Sequence, residues 1–256
     1  MAIRFDPVGR CIYCGATDAL TREHIIPFSL NGDLILPDAS CRTCAKITGK
    51  IEGYVTRTMF GAFRAAYNMQ TRNPKQRPKA FPVRPGRGVD RAEPVLIPTG
   101  DFPVNMHLPV LPVARYLRGL PDTNTVRNAG FWSWVDVEKG RAVARRLGTR
   151  TINSNESHPA IFVQMLAKIG HAYAVSQYGV DGFEPLAVDW ALDRKRTINY
   201  IVGCDETIPP QPEPDLHRLQ LYVHAENRTI ACQVRLFAQL GAPLYHVVVG
   251  IKNRLK

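Results

Sequence analysis

The stretch that decides the fold is CIYCGATDALTREHIIPFSLNGDLILPDASCRTC, residues 11–44. It begins and ends with two cysteines separated by two residues, a spacing that lets both sulfurs of a pair turn onto one metal ion. Two such pairs complete a tetrahedral four-thiolate site of the kind that holds structural zinc. The four cysteines are Cys11, Cys14, Cys41 and Cys44. The pattern therefore predicts a zinc site, with an iron–sulfur cluster and a redox disulfide as the alternatives.

The 26 residues between the two pairs exceed what a plain zinc ribbon needs, so we expect a further element there. In this insert a carboxylate is directly followed by histidine, two apolar residues and proline, from Glu23 to Pro27. Consecutive strand residues point to opposite faces, so Glu23 and His24 can serve one site only from a distorted strand end. A surface strand end without function is the alternative for a single Glu-His pair.

This region resembles the HNH endonuclease family, whose cysteine-stapled ββα-metal fold is also called the His-Me finger. The family pattern E-H-I-I-P-x-S-L-G-G, then C-x-x-C-N and G-x-x-E, corresponds here to residues 23–32, 41–45 and 49–52. The resemblance implies phosphodiester hydrolysis, with His24 as general base and Glu23 as a ligand of a catalytic Mg²⁺ or another divalent ion. The residue types suit this chemistry, because a neutral imidazole accepts a proton near pH 7 and a carboxylate binds hard cations.

One position departs from the family pattern. The family has an asparagine after the second cysteine pair that helps to hold the catalytic metal, whereas this chain has Ala45, whose methyl group cannot bind a metal. A helix that starts near Cys41 would place residues 45, 48 and 52 on one face, so Thr48 and Glu52 are the candidates for the missing ligand. Thr48 is a weak ligand, and Glu52 lies roughly 10 Å along the helix axis from Ala45.

The net charge of +11 and the pI near 9.6 favour an acidic partner, and nucleic acid is the usual one. Residues 1–92 carry 15 basic against 7 acidic residues, and the remaining 164 carry 18 against 15, so the first third is predicted to face the polyanion. A surplus that serves solubility is the alternative. The candidate nucleic-acid-binding residues are Arg57 and Arg64 on a predicted helix at 51–67, and Lys75, Arg77 and Lys79 beyond it. A solvated face fits these side chains equally well.

Composition divides the chain into a zinc module at 1–72, a basic proline-rich linker at 73–100 and an α+β domain at 101–256. The six prolines of the linker are incompatible with a regular helix or a central strand, so an extended segment is predicted. In the last part, apolar residues at helical spacing predict a helix at 159–178 that ends before Gly179. Strands are predicted at residues 131–137, 197–202, 219–224, 229–237 and 244–251, the third and fourth as an antiparallel hairpin. The fold class is therefore predicted to be α+β, with the last part serving recognition, dimerisation or regulation.

Two further cysteines and four of the histidines are predicted to be structural. None of them pairs with another at ligand spacing, and a lone buried cysteine behaves as a small hydrophobic residue. They are Cys204, Cys232, His171, His217, His224 and His246.

The leading hypothesis from the sequence is a metal-dependent endonuclease that acts on DNA, with structural Zn²⁺ and a catalytic Mg²⁺ or another divalent ion. The alternative is a zinc protein that binds nucleic acid without cutting it, which Ala45 favours. A homodimer would supply two sites for a double-strand break, but no residue pattern requires it. No apolar run approaches the ~18 residues of a membrane span, and residues 1–10 lack the apolar core of a secretory signal, so we expect a cytoplasmic protein without a membrane partner.

Overall fold

A computed structural model describes residues 3–86, 93–124, 126, 129–153, 157–204 and 211–253. Within these residues the chain is a mixed α+β protein, as the sequence predicts. The strands are β1 Ile3–Arg4, β2 Leu20–His24, β3 Leu34–Cys41, β4 Ala80–Pro85, β5 Val95–Pro98, β6 Asn105–Val110, β7 Gly130–Val135, β8 Ile152–Asn153, β9 Phe183–Pro185, β10 Val202–Cys204, β11 His217–Val223, β12 Thr229–Leu236 and β13 Tyr245–Lys252. The α-helices are α1 Arg42–Thr58, α2 Gly61–Ala66, α3 Val137–Arg146, α4 Pro159–Tyr178 and α5 Val188–Ala191.

The N-terminal sheet has the order β1-β3-β2, with β2 antiparallel and β1 parallel to β3. Two residues shape the turn between β2 and β3. Asn31 adopts a left-handed conformation at φ +63°, and Gly32 leaves no room for a side chain, because a Cβ there would lie 2.0 Å from the carbonyl oxygen of Ile26. The first residue of α1 directly follows β3, so the predicted helix start near Cys41 is confirmed.

The helix predicted at 51–67 is in fact the end of α1 followed by the separate helix α2. The break brings Phe60 into the core, where its side chain is fully buried. The ring of Phe60 meets those of Phe162 and Phe237 edge-on, at centroid distances of 6.2 and 5.2 Å. The local periodicity of apolar residues carries no information about this long-range packing, so the sequence predicts one continuous helix where the structure has two.

The helix α4 has its predicted bounds and ends at Gly179, which adopts φ +69°. It packs against β12 and β13 of the largest sheet, whose order is β10-β13-β12-β11 with β9 also paired to β13. At Gly170 the helix comes close to this sheet, because a Cβ there would lie 3.0 Å from Val249 and 3.1 Å from Val247. No helix of the described part of the chain is long and apolar enough to cross a membrane.

Most of the predicted strands form. The hairpin is confirmed as β11 and β12, in register from His217 opposite Leu236 to Val223 opposite Ile230. The strands predicted at 131–137 and 244–251 form as β7 and β13. The strand β7 stops short because Asp136 caps α3, its carboxylate accepting a hydrogen bond from the backbone N–H of Lys139 at 3.1 Å.

The strand predicted at 197–202 is wrong, since β10 begins only at Val202. Side chains hold the preceding segment as a loop. The amide of Asn199 donates to the carbonyls of Pro112 and Val202, and the indole N–H of Trp190 donates to the carbonyl of Thr197. These side-chain hydrogen bonds take the place of the strand pairing that the β-branched residues of this segment predict.

The described part of residues 73–100 is folded, in contrast to the extended linker that was predicted; residues 87–92 lie outside the described part. Here β4 pairs with β5 and β8, and Val83 and Ile97 are fully buried. The prolines are accommodated because β4 pairs with β5 through residues 80–83 and with β8 through residues 84–85. Within β4, Pro82 therefore pairs only with β5 and Pro85 only with β8, so each faces a partner strand on one side, where its missing N–H is tolerated.

The zinc-module residues and the later residues share one hydrophobic core. Buried side chains of the N-terminal region, such as Ile25 and Val55, belong to the same cluster as Phe162 of α4 and Val247 of β13. The helices α1 and α4 are in direct contact. Residues from the last part of the chain can therefore reach the site that the sequence places in the first.

We expect Phe60→Ala to lower the free energy of unfolding by about 3–5 kcal/mol, because it leaves a cavity between α1, α4 and the main sheet. Urea denaturation of the zinc-loaded protein measures this. The control is Phe131→Ala, whose side chain is 58% exposed and should change stability by no more than about 0.5 kcal/mol. Equal effects of the two substitutions would contradict the shared core.

Candidate functional site

The four predicted zinc ligands come together. The Sγ atoms of Cys11, Cys14, Cys41 and Cys44 all lie within 4.8 Å of one another. The distance from Cys14 Sγ to Cys41 Sγ is 3.7 Å, close to the edge of a tetrahedron with metal–sulfur bonds of about 2.3 Å. The cysteines are unpaired thiols. The arrangement fits a structural metal ion such as zinc, and four thiolates leave no position for a catalytic water.

Local backbone bonds shape both cysteine pairs. In the first, the N–H of Gly15, at φ +78°, donates to the carbonyl of Cys11, and the N–H of Cys11 donates to the carbonyl of Ala16. In the second, Cys41 precedes the first turn of α1. The backbone N–H of Cys44 points at the sulfur of Cys41 and lowers the pKa of Cys41 to about 7. The lower pKa favours the thiolate that binds metal.

Glu23 and His24 end the strand β2, where the pairing with β3 shifts register between Thr21 and Glu23. The expected distortion of this strand end is therefore present. It places both side chains on the wall of one cleft. Glu23 is only 6% exposed, whereas His24 is partly exposed and meets the ring of Phe28 edge-on at 5.7 Å.

The imidazole of His24 is neutral at pH 7. Burial is the main reason why its pKa is lowered to about 4. Three nearby cations, Lys168, Arg22 and Arg72, lower it further. A neutral imidazole open to a cleft can accept a proton from a water molecule, but a pKa of about 4 makes it a weaker base than an ordinary histidine.

Lys168 of α4 is the site residue that the sequence reasoning missed. Its side chain is 1% exposed, and its Nζ lies 2.6 Å from Glu23 Oε1 and 2.7 Å from Glu52 Oε1. The same Nζ donates to the carbonyl oxygens of His24 and, at 3.2 Å, of Ile25. A signal was available, because Lys168 is the one formally charged residue in a helix whose apolar composition predicts burial on all sides.

The charges of this cluster support one another. Burial alone would lower the pKa of Lys168, but the Coulomb attraction of Glu23 and Glu52 outweighs it and raises that pKa. Burial raises the pKa of Glu52, and the ammonium of Lys168 opposes the rise. We therefore describe a buried ion cluster of one ammonium and two carboxylates.

The candidate ligands do not fit a catalytic divalent ion. Both carboxylates that could hold Mg²⁺ already contact Lys168 Nζ. Thr48 is 3% exposed, and its hydroxyl donates to the carbonyls of Cys44 and Ala45 at 3.3 and 3.4 Å. Mg²⁺ requires near-octahedral oxygen ligands at about 2.0–2.1 Å, most of them waters, which this buried cluster does not offer.

The predicted nucleic-acid-binding residues separate into two groups. The guanidinium of Arg64 donates to the carbonyls of Ser29, Thr56 and Gln70, at 2.7, 3.0 and 3.3 Å. That of Arg77 donates to the carbonyls of Arg64 and Met69, at 2.9 and 2.6 Å. These two arginines tie α2 to the loops around it, which is a structural use of their donors.

Arg57 is exposed and lines the same cleft as His24. Lys75 and Lys79 are also exposed but border a separate, shallow surface beside β5. Two exposed arginines that the sequence reasoning did not single out, Arg22 and Arg72, line the cleft of His24.

The cleft has a volume of about 890 Å³ and lies between the end of β2, the helices α1 and α2, and residues 71–78. Within the described residues, the guanidinium groups of Arg22, Arg57 and Arg72 have no carboxylate partner. The wall around His24 is therefore positive, which suits an anionic ligand.

The other histidines have the structural roles that were predicted wherever their contacts are described. The Nδ1 of His217 accepts a hydrogen bond from the backbone N–H of Phe237 at 3.1 Å, so its Nε2–H donates to the carbonyl of Leu30 at 2.7 Å. The Nε2 of His171 meets the carbonyl of Ile12 at 2.8 Å. Both bonds join the last part of the chain to the zinc module. Cys204 and Cys232 are buried, as predicted.

Comparisons with protein-family models, curated proteins and solved structures found no match to this chain.

The zinc site predicts about one zinc ion per chain in metal analysis of the purified protein. Cys44→Ser should release this zinc and destabilise residues 11–58, since binding energy at such a site is folding energy. The matched control is Cys232→Ser, which removes a buried thiol outside the cluster and should keep the zinc. A metal-free protein that is stably folded would contradict the assignment.

Stability should fall as the pH drops below 6.5, because burial lowers the pKa of His217 to about 4 while the unfolded chain keeps its ordinary value near 6.5. The unfolded state then binds more protons between pH 6.5 and 4, so stability decreases with decreasing pH. His217 should account for about 2 kcal/mol of the loss between pH 7 and 5. Urea denaturation of the wild type and His217→Gln at both pH values measures it, and identical pH dependence of the two proteins would refute the neutral, buried imidazole.

Proposed function

We propose that this chain is an endonuclease that hydrolyses phosphodiester bonds in nucleic acid, with DNA as the substrate and His24 as the general base. The observation that carries the proposal is a neutral His24 inside an arginine-lined cleft, at the end of a strand that the cysteine cluster holds in place. The order of a strand pair followed by the helix α1 supports the resemblance of residues 11–52 to the HNH family.

The chemistry follows from the residues of the cleft. His24 accepts a proton from water, the water oxygen attacks the phosphorus, and the P–O bond to the leaving oxygen breaks as that oxygen takes a proton from solvent. Negative charge grows on the phosphoryl oxygens in this step. In this proposal the exposed guanidinium groups of Arg22, Arg57 and Arg72, which line the cleft, hold the phosphate and offset this charge.

A second candidate function is binding of nucleic acid without cleavage. Two observations favour it: Ala45 stands where the family has a metal-binding asparagine, and Lys168 contacts the carboxylates that would hold the metal. The positive cleft serves this function as well, because phosphate contacts by exposed arginines supply most of non-specific affinity.

A plasmid-nicking assay discriminates between the two functions. Zinc-loaded protein is incubated with supercoiled DNA in buffer freed of divalent ions, and in parallel with Mg²⁺, Mn²⁺ or Ni²⁺. We expect wild type to nick the plasmid and His24→Ala to lose about 100-fold or more of the rate, since general-base catalysis contributes about 10²–10⁴. The control is His107→Ala, because His107 is similarly half-buried but lies outside the cleft, against Ser133.

Binding is measured beside cleavage, by fluorescence anisotropy of a labelled duplex. If wild type binds DNA but cuts under none of the ion conditions, the endonuclease proposal fails and the binding function stands. If His24→Ala cuts as fast as wild type, the nuclease is real but His24 is not its base.

A further inference from the structure

The ammonium of Lys168 occupies a position surrounded by oxygen atoms. Two carboxylate oxygens approach it at 2.6 and 2.7 Å, from Glu23 at the end of β2 and Glu52 in the middle of α1. Two backbone carbonyl oxygens, those of His24 and Ile25, complete the set. A set of oxygen ligands on one small cation is what a hard metal ion normally receives.

The three elements that meet here are distant in sequence. Lys168 is 145 residues from Glu23 and 116 residues from Glu52. The side chains are buried, with exposures of 1% for Lys168, 7% for Glu23 and 21% for Glu52. The cluster therefore joins β2, α1 and α4 at the wall of the cleft, where Glu23 and Glu52 line the cleft and Lys168 lies beneath them.

Removing the ammonium would leave an unfavourable pair. Two carboxylates that converge on one point repel each other, and burial strengthens that repulsion. Such a pair is stable only if one carboxyl is protonated or if another cation enters. With the ammonium present, one oxygen of each carboxylate already contacts Nζ, and the positive charge of Lys168 repels a divalent ion from the point where the carboxylates converge.

We propose that Lys168 is the resident cation of this site, and that the Glu23–Glu52 carboxylate pair binds no divalent ion while Lys168 is present. Loss of the lysine side chain converts the pair into a divalent-cation site. In this arrangement Lys168 is a positioning residue, which fixes the end of β2 and hence the backbone of His24. The proposal holds whether or not His24 catalyses hydrolysis, because it concerns only the ions that the carboxylates accept.

The test uses Mn²⁺ as the probe and electron paramagnetic resonance of free Mn²⁺ as the readout, on the zinc-loaded full chain. Wild type should remove no Mn²⁺ from solution at the carboxylate pair. Lys168→Ala should remove one Mn²⁺ per chain from solution, at least about tenfold more than wild type removes under the same conditions, since two converging carboxylates form a typical divalent site. The double variant Lys168→Ala with Glu52→Gln should lose this binding again.

The matched control is Lys139→Ala, which removes a partly exposed lysine from α3 and should leave Mn²⁺ binding as in wild type. Thermal unfolding provides a second readout, because Mn²⁺ should raise the midpoint of Lys168→Ala and leave that of wild type unchanged. A folded Lys168→Ala that binds no Mn²⁺ would overturn the proposal.

The wild type decides the matter even if Lys168→Ala does not fold. In that case Glu52→Gln is compared with wild type. One Mn²⁺ bound by wild type and lost in Glu52→Gln shows a divalent site that coexists with the lysine, and the proposal fails. Absence of binding in both proteins supports it. Neither result depends on the nicking assay, so failure of the proposed nuclease activity is recognised separately.

Discussion

The rest of the site depends on the buried ion cluster of Lys168 with Glu23 and Glu52. A lysine that is 1% exposed is stable only with its charge compensated, and the two carboxylates together outweigh the cost of burial. The cluster consequently fixes how α4 meets β2 and α1. It also fixes the backbone of the residue that follows Glu23, because the ammonium donates to the carbonyl oxygen of His24.

The strand end that carries His24 is held from two directions. On one side the cysteine cluster joins the loop before β2 to the start of α1. On the other side Lys168 binds the backbone of β2, and His171 and His217 bind the carbonyls of Ile12 and Leu30. The backbone of His24 is thus anchored by Lys168 while its ring faces the cleft. This is the arrangement that a general base or a fixed phosphate-facing residue requires.

What the sequence predicts well is local. Cysteine spacing predicts the metal cluster because both pairs have the same short geometry, and the period of apolar residues predicts α4 to its last residue. What it misses is long-range. The break before α2 depends on Phe60 meeting the ring of Phe162 in α4 and that of Phe237, which directly follows β12. The donors of Arg64 and Arg77 are used by backbone carbonyls that no sequence pattern reveals. The pairing of Lys168 with Glu23 likewise exists only in the folded chain.

The central claim is that an ammonium, and no metal ion, lies between the two carboxylates. The most direct measurement is a crystal structure of the zinc-loaded wild type from crystals soaked in MnCl₂. Anomalous data are collected to locate zinc and any bound manganese. Our account predicts one anomalous peak at the four cysteines and the Nζ of Lys168 within hydrogen-bond distance of Glu23 and Glu52. A manganese peak between these carboxylates, with the lysine side chain displaced, would contradict it.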